Sequence, residues 1–160
     1  MEKKDLDWGN IGFSYMPTDK RYVANYKDGA WDEGGMTSDP NVVINECAGI
    51  LQYCQEIFEG LKAYTTEDGS IVTFRPDLNA ERMMDSARRL EMPPFPKERF
   101  LEAVDQVVKA NAAWVPPFGS GATLYLRPYM FATGPVIGVK PSQEYQFRLF
   151  GTPVGPYFKG

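Results

Sequence analysis

The chain has 160 residues, of which 43% are hydrophobic and 14% aromatic, a composition that suits one compact domain with a single core. It has 17 basic and 21 acidic residues, a net charge of -4 and no basic run longer than a pair, so neither nucleic acid nor an anionic membrane is expected as a partner. The N-terminus is charged within its first few residues and no apolar run approaches about 18 residues, so a cytoplasmic protein without signal peptide or membrane span is predicted.

Metal and thiol chemistry are not predicted. Cys47 and Cys54 are the only cysteines, their spacing is not CxxC, and the chain has no histidine. Zinc sites and disulfides are therefore not expected, and two small apolar residues on a helix face are the simpler interpretation. The missing histidine also excludes Ser-His and Cys-His nucleophile pairs.

The first predicted element is a hairpin. Residues 21–32 form two aromatic-rich runs around Asp28 and Gly29, a dipeptide that favours a tight turn. Residues 42–44, Val-Val-Ile, are interpreted as a short buried strand or as the lead-in to a helix.

A helix is predicted to end at Gly60. Apolar side chains precede this glycine at the spacing of one buried helix face: Ile50, Tyr53, Cys54, Ile57 and Phe58. A glycine can close a helix at little steric cost, and a short strand would start at Leu61. Phe58 and Glu59 would then lie at a sharp turn, where an aromatic residue belongs to the core more often than to a site.

A second hairpin follows this turn. Residues 61–64 and 71–74 flank Glu-Asp-Gly-Ser at 67–70, so these two strands are expected to pair antiparallel.

The next helix is predicted to begin with Asn79 as its N-cap. Its apolar stripe consists of Met83, Ala87 and Leu90. Arg82 would lie in the first turn, where the helix dipole favours an anion over a cation. From the pattern alone, a solvated surface arginine is the simpler interpretation.

A third helix is predicted after the proline-rich break at 92–96. It is amphipathic from Phe100 onward, ends near Trp114 and is interpreted as scaffold. The loop at 116–121 contains Gly-Ser-Gly but matches neither GxxxxGK[ST] nor GxGxxG, so it is given no nucleotide role.

A strand at 124–127 carries Tyr125 and Arg127 on one face, because side chains alternate with a period of two. Arginine offers a planar fork and tyrosine a hydroxyl donor, a combination that can bind a carboxylate. An arginine reaching solvent at a strand edge is an equally good interpretation of the pattern alone.

The last strand is predicted at 145–150, and the proline- and glycine-rich run that follows is interpreted as an exit linker. Hairpins outnumber any βαβ alternation, so the fold class predicted is α+β: a largely antiparallel sheet with two or three helices packed on it. One domain is expected at 1–152, and the start of a linker at 153–160.

Four motifs in order resemble the N-terminal domain of branched-chain-amino-acid aminotransferases, which are fold-type IV enzymes that use pyridoxal phosphate (PLP). They are FEGLKAY, VTFRPDLNAERMMDSARRL, ATLYLRPYMFATGP and TPVGPYF, and together they extend over nearly the whole chain. In that family the lysine that forms the Schiff base with PLP belongs to a C-terminal domain beyond GPYF. The resemblance therefore implies that this domain is absent here, that the fragment alone is inactive and that it does not bind PLP tightly.

The resemblance also implies roles for seven residues, none of them catalytic. Arg82 would contact the cofactor phosphate. Four residues would surround the substrate: Phe58, Tyr125, Arg127 and Tyr157. Tyr53 and Val139 would reach into the neighbouring subunit's site in a homodimer. The substrates implied are leucine, isoleucine or valine together with glutamate and 2-oxoglutarate, and no metal is implied.

Lys62 and Tyr15 are not assigned to the site. Lys62 lies where the family has an interchangeable lysine or arginine, which is incompatible with a Schiff-base role, and the match around Tyr15 is loose. Two alternatives stay open: another fold-type IV enzyme, such as a D-amino-acid aminotransferase or an aminodeoxychorismate lyase, and a stand-alone binding or dimerisation module.

Overall fold

The computed structural model describes residues 2–158, which form eight β-strands, three α-helices and one short 3₁₀ helix. The strands are β1 (Arg21–Lys27), β2 (Ala30–Trp31), β3 (Gly35–Thr37), β4 (Glu56–Phe58), β5 (Leu61–Thr65), β6 (Ile71–Thr73), β7 (Thr123–Ala132) and β8 (Tyr145–Val154). The helices are α1 (Gly49–Tyr53), α2 (Pro76–Arg89), α3 (Lys97–Ala110) and the 3₁₀ turn Ala112–Trp114. Among residues 2–158, no helix is long and apolar enough to cross a membrane.

All strands join one antiparallel sheet, with β7 and β8 at its centre. The order is β2-β1-β8-β7-β5-β6, while β3 also pairs with β1 and β4 also pairs with β7. The β7–β8 ladder is the longest, with a register that runs from Thr123 opposite Val154 to Ala132 opposite Tyr145. The α+β prediction of a largely antiparallel sheet with two or three helices is confirmed.

The alternation of side chains along β7 and β8 gives the sheet two different faces. One, which we call the helix face, packs against α2 and α3 and includes Leu124, Leu126, Phe147 and Leu149, all fully buried. Phe95, from the proline-rich segment before α3, stacks on Phe147 with ring centroids 3.9 Å apart. The opposite side, which we call the open face, includes Tyr125 and Arg127 of β7 and Arg148 of β8.

Both predicted hairpins are confirmed. Asp28 and Gly29 take positive φ angles of 52° and 81°, and Tyr26 and Trp31 pair across the turn. The second hairpin is formed by β5 and β6, with Ala63 opposite Thr73. In both cases the turn chemistry lies within a few residues of the strands that it joins.

The helix predicted up to Gly60 is wrong beyond Tyr53. α1 ends because Cys54 takes a left-handed conformation with φ 53°, and the chain then forms β4. Ile57 is buried but Phe58 is 61% exposed, so the apolar residues before Gly60 do not form one buried helix face. Hydrogen bonding to β7, more than 70 residues later in the chain, decides the conformation here.

Three smaller predictions also need correction. Asn79 is not an N-cap: α2 begins at Pro76, so Arg82 lies in its second turn and not in its first. Of the two interpretations of residues 42–44, the short buried strand is wrong, since they form no strand and Val43 is 94% exposed, whereas the lead-in to a helix agrees with α1 beginning at Gly49. The strand predicted to stop before Pro128 continues through it to Ala132, as the long pairing with β8 holds both halves in one ladder.

The third helix and the loop after it follow the prediction. α3 buries Phe100, Val104 and Val107, and a 3₁₀ turn ends at Trp114. The last strand is longer than predicted, because β8 continues to Val154, past the boundary expected at residue 152. Residues 159 and 160 of the predicted linker lie outside the described residues.

Phe147→Ala should cost about 3 to 5 kcal/mol in the free energy of unfolding, because it leaves a cavity against the Phe95 ring at the sheet centre. Phe74→Ala is the matched control. That ring is 81% exposed, and its removal should change stability by about 0.5 kcal/mol or less. Urea unfolding of the three proteins measures both differences, and equal losses would contradict the assignment of the core.

Candidate functional site

The segment Phe58-Glu59-Gly60 joins β4 to β5 and contributes to both faces of the sheet. β4 and β5 keep one register against β7, with Phe58 opposite Tyr129 and Leu61 opposite Leu126. The ladder is interrupted opposite Pro128, which accepts a hydrogen bond from the Glu59 N–H at 2.8 Å but has no N–H to donate in return. The alternation continues across the interruption, so Phe58 lies on the open face and Glu59 on the helix face.

On the open face, Arg127 lies between two aromatic rings. Its Nε and Nη2 donate hydrogen bonds to the Tyr125 hydroxyl at 3.1 and 3.0 Å. The guanidinium carbon lies 4.5 Å from the centre of the Phe58 ring and 5.4 Å from that of Tyr125. The prediction that Tyr125 and Arg127 share a face is confirmed, and Phe58 joins them from β4. Such a fixed planar cation can bind a carboxylate with two parallel hydrogen bonds.

Phe13 extends this cluster to Tyr157. The Phe13 ring lies 5.9 Å from Tyr125 and 4.9 Å from Tyr157, with an edge contact to the latter. Phe13 is not among the residues predicted from the sequence, since no periodic pattern surrounds it. Tyr15, which the sequence also leaves unassigned, packs on Phe150 and not on these rings.

Gly60 makes room for Tyr125. A Cβ at this position would lie 2.6 Å from the Tyr125 hydroxyl oxygen and 3.2 Å from two ring carbons. The φ angle of Gly60 is not positive, so close approach and not backbone conformation explains the glycine. The role predicted for Gly60, to end a helix, is therefore wrong, and its actual role is to let the tyrosine lie over the strand.

On the helix face, Glu59 binds Arg82 and Asn79 of α2. The Glu59 side chain is 2% exposed, and its two oxygens accept hydrogen bonds from Arg82 Nε at 2.6 Å and Nη2 at 2.8 Å. The Asn79 amide donates to the same carboxylate at 2.9 Å. The Arg82 side chain is 70% exposed, so the pair fixes the guanidinium while its outer edge faces solvent. Arg82 is therefore not a freely solvated surface arginine.

These contacts determine the protonation of Glu59. Burial by itself would raise the pKa of Glu59, but the hydrogen bonds from Arg82 and Asn79 and the charge of Arg82 outweigh it, and the net pKa is lowered. The same hydrogen bond and charge raise the pKa of Arg82. Glu59 is thus a carboxylate at neutral pH. The strand-like alternation of side chains through residues 57–63 could have identified Glu59 from the sequence, because a glutamate on a buried face requires a cation beside it.

Tyr53 and Val139 lie apart from both groups. Tyr53 is the last residue of α1, directly before the left-handed Cys54, and donates a hydrogen bond from its hydroxyl to the Ile137 carbonyl. Val139 is in the same loop as Ile137 and is 87% exposed. Within residues 2–158, no hydrogen bond or ring contact joins either side chain to Arg127. The seven predicted residues thus lie in three places. Phe58, Tyr125 and Arg127, with Tyr157 joined to them through Phe13, form what we call the Arg127 group. Arg82 lies on the other face, and Tyr53 and Val139 lie apart from both.

A metal centre does not form in the part of the chain that the structure describes, where no three His, Cys, Asp or Glu side chains are grouped as ligands. The chemistry that these residues support is recognition of anions: Arg127 between aromatic rings on one face, and Arg82, held by a buried carboxylate, on the other.

Comparison with protein-family models gives no match. Among curated proteins, this chain is 56% identical over 157 residues to a branched-chain-amino-acid aminotransferase of Haemophilus influenzae and 48% identical over 157 residues to that of Helicobacter pylori. Each alignment covers 98% of this chain and 46% of the relative. A chloroplastic branched-chain-amino-acid aminotransferase 2 of Arabidopsis thaliana is 46% identical over 97% of this chain and 40% of its own length.

Solved structures show the same fold. A branched-chain aminotransferase from Thermoproteus uzoniensis, crystallised with norvaline, superimposes with a TM-score of 0.69 at 23% identity over 89% of this chain and 43% of its own. The Escherichia coli enzyme gives a TM-score of 0.68 at 22% identity, with 89% and 42% covered. The chain therefore spans less than half the length of these relatives. The sequence resemblance to branched-chain aminotransferases is confirmed over nearly all of it.

Arg82→Met should destabilise the protein by about 1 to 3 kcal/mol at pH 7, because it leaves the buried Glu59 carboxylate with Asn79 as its remaining side-chain partner. Arg88→Met, on the same helix, is the control. Arg88 pairs with Asp85 in solvent, and its loss should change stability by about 0.5 kcal/mol or less.

The decrease in the free energy of unfolding caused by Arg82→Met should also depend on pH. The folded pKa of Glu59 is depressed, so the pair's contribution is complete above the unfolded carboxyl pKa, near 4.3, and is lost as pH falls through the lower folded value. Urea unfolding at pH 7 and in steps below pH 5 should therefore show the two curves converging in acid. A gap independent of pH would mean that Arg82 stabilises α2 by packing alone.

Proposed function

We propose that this chain is the N-terminal part of a PLP-dependent branched-chain-amino-acid aminotransferase, which transfers the amino group of leucine, isoleucine or valine to 2-oxoglutarate. The observation that carries the proposal is the 56% identity over 98% of the chain to a protein of that name. The N-terminal domain in this proposal extends to the end of β8 at Val154, two residues past the boundary expected at residue 152, and the residues after it begin the linker to a C-terminal domain that holds the catalytic lysine. Catalysis and tight binding of PLP depend on that C-terminal domain in this proposal.

The residues present fit the cofactor at one point, its phosphate. When bound, PLP supplies the electron sink for chemistry at the amino acid's α-carbon. This chain contributes Arg82, whose guanidinium is fixed by Glu59 while its outer edge remains exposed and able to donate to a phosphate oxygen. Glu59 and Asn79 are positioning residues here, because they act through Arg82.

The open face contributes the substrate pocket in this proposal. Such a pocket must accept both a branched aliphatic side chain and the side-chain carboxylate of glutamate, which requires apolar walls and a few placed donors. Arg127 and Tyr125 are the donors within one subunit. Phe58 and Tyr157 are its apolar walls, and Phe13, which contacts both Tyr125 and Tyr157, completes them.

A homodimer supplies the remaining contacts. Tyr53 and Val139 are separate from the Arg127 group in this chain, and both are exposed at 41% and 87%. That placement supports a role in the neighbouring subunit's pocket, where Tyr53 would add a hydroxyl and Val139 an apolar wall. A cytoplasmic location for this dimer stays a prediction.

The alternatives are less well supported. A D-amino-acid aminotransferase or an aminodeoxychorismate lyase is not among the names of the curated relatives described above, which are all branched-chain enzymes. Comparing leucine with D-alanine turnover in the full-length protein separates these functions. A stand-alone binding module would be established if the open reading frame did not continue past Gly160 into a lysine-bearing domain.

Arg127→Ala in the full-length enzyme should slow the glutamate half-reaction by about ten- to a hundredfold, the value of one charge-assisted hydrogen bond of about 1.5 to 3 kcal/mol. The leucine half-reaction should lose less, because its side chain needs only the apolar walls. Single-turnover mixing with each amino acid, followed by cofactor absorbance, gives both rate constants. Arg88→Ala, on the outer surface of α2, serves as control. An equal decrease in the rate constants for leucine and glutamate would contradict the proposal that Arg127 binds the side-chain carboxylate of glutamate.

A further inference from the structure

Two buried arginines, Arg21 and Arg148, lie on the open face apart from Arg127. They are 3% and 6% exposed, on the neighbouring strands β1 and β8. Both line one cavity of about 410 Å³. That volume lies within the range of small-molecule sites in proteins.

Neither guanidinium has a carboxylate partner within 4 Å among residues 2–158. Arg21 donates to the backbone carbonyls of Ser38 and Thr18, and Arg148 donates to the Gln146 side-chain oxygen and the Asp39 carbonyl. All four acceptors are neutral. A buried charge without an ion partner is costly, so two of them at one cavity create a strong attraction for an anion.

Asp39 is an acidic residue whose backbone carbonyl contacts Arg148, but its carboxylate is bonded elsewhere. It accepts hydrogen bonds from the Asn41 backbone N–H at 2.9 Å and side-chain amide at 2.8 Å. The pKa of Asp39 is lowered, first by these bonds from Asn41 and then by the charges of Arg148 and Arg21. Asp39 therefore feels the positive field of the pair without forming a salt bridge to it.

The walls of the cavity are aromatic. Tyr15 and Tyr129 each make an edge contact with Phe150, at centroid distances of 5.8 and 6.0 Å. Burial raises the pKa of Tyr129 despite the nearby charge of Arg148, so its hydroxyl is neutral and able to donate. Cations at one end and rings along the side suit a ligand that has an anionic group and an apolar body.

We propose that this cavity binds a small organic anion, whose carboxylate or phosphate lies on Arg21 and Arg148 and whose apolar body packs against the aromatic wall formed by Tyr15, Tyr129 and Phe150. Each guanidinium has five N–H donors, of which two bind the neutral acceptors named above, and the remaining charged donors favour an oxyanion over a halide. The site does not depend on the proposed transaminase function, because none of its residues belongs to the Arg127 group or to the Arg82 pair.

The test uses the full-length protein with PLP added, so that the cofactor's own phosphate site is filled. Isothermal titration is run with phenyl phosphate, benzoate and inorganic phosphate as the three probes. Phenyl phosphate should bind at one site per chain and at least about tenfold more tightly than inorganic phosphate, which lacks the ring. Equal affinity for these two would overturn the role of the aromatic walls. Benzoate determines whether a carboxylate replaces the phosphate.

Arg148→Gln should weaken phenyl phosphate binding by about tenfold or more, whereas Arg127→Gln, in the other arginine site of the same face, should leave it unchanged. The reverse pattern would place the ligand in the Arg127 group and overturn the proposal. Arg148→Lys keeps the charge without the fork and should bind with intermediate affinity.

Arg148 is buried, so Arg148→Gln is checked first for its circular dichroism and thermal midpoint. If it does not fold, Tyr15→Ala takes its place, because Tyr15 is 60% exposed and should be tolerated. Tyr15→Ala should weaken phenyl phosphate but not inorganic phosphate. If Arg148→Gln leaves binding unchanged and instead shifts the dimer to monomer in sedimentation, a second copy covers the cavity and the proposal is wrong.

Discussion

The antiparallel ladder between β7 and β8 is the constraint on which the rest of this structure depends. Ten residues of each strand pair in one register, which determines the face of the sheet on which every neighbouring side chain lies. A shift by one residue would bring Arg127 and Tyr125 under the helices and expose Leu124 and Leu126. The same register therefore determines both the buried core and the candidate site, so a shift by one residue would disrupt both at once.

Charge is distributed unequally between the two faces. The charged side chains that are buried within residues 2–158 are Arg21, Arg148 and Glu59. Glu59, on the helix face, is neutralised by Arg82. On the open face, Arg127 joins Arg21 and Arg148, so three arginines of a chain with a net charge of -4 lie on one side of the sheet.

Sequence patterns predicted the elements whose causes are local. The turn at Asp28 and Gly29 needs no distant partner, and the amphipathic pattern of α3 describes its own buried face. The shared face of Tyr125 and Arg127 followed from the period of two alone. These features could be derived because the residues that decide them lie within a few positions of each other.

The predictions that failed concern residues whose conformation depends on contacts far away in the sequence. β4 has a helical apolar period but is held as a strand by β7. Asn79 has the composition of an N-cap, yet its amide is used by Glu59, twenty positions earlier. Phe13 reaches Tyr125 only because the chain passes over the sheet, and the residues around Phe13 do not predict that path. The contacts of a side chain across the sheet could not be predicted from the residues next to it in the sequence.

The close approach of Tyr125 to Gly60 also restricts how such a protein can evolve. A side chain at residue 60 and the ring at residue 125 would occupy the same space, so the two positions are not free to drift independently. A larger residue at 60 becomes acceptable only after the tyrosine has been replaced by something smaller, which would also remove the hydroxyl that Arg127 contacts. Steric exclusion therefore determines the order of substitutions, and this glycine makes the neighbouring contact between Tyr125 and Arg127 resistant to gradual change.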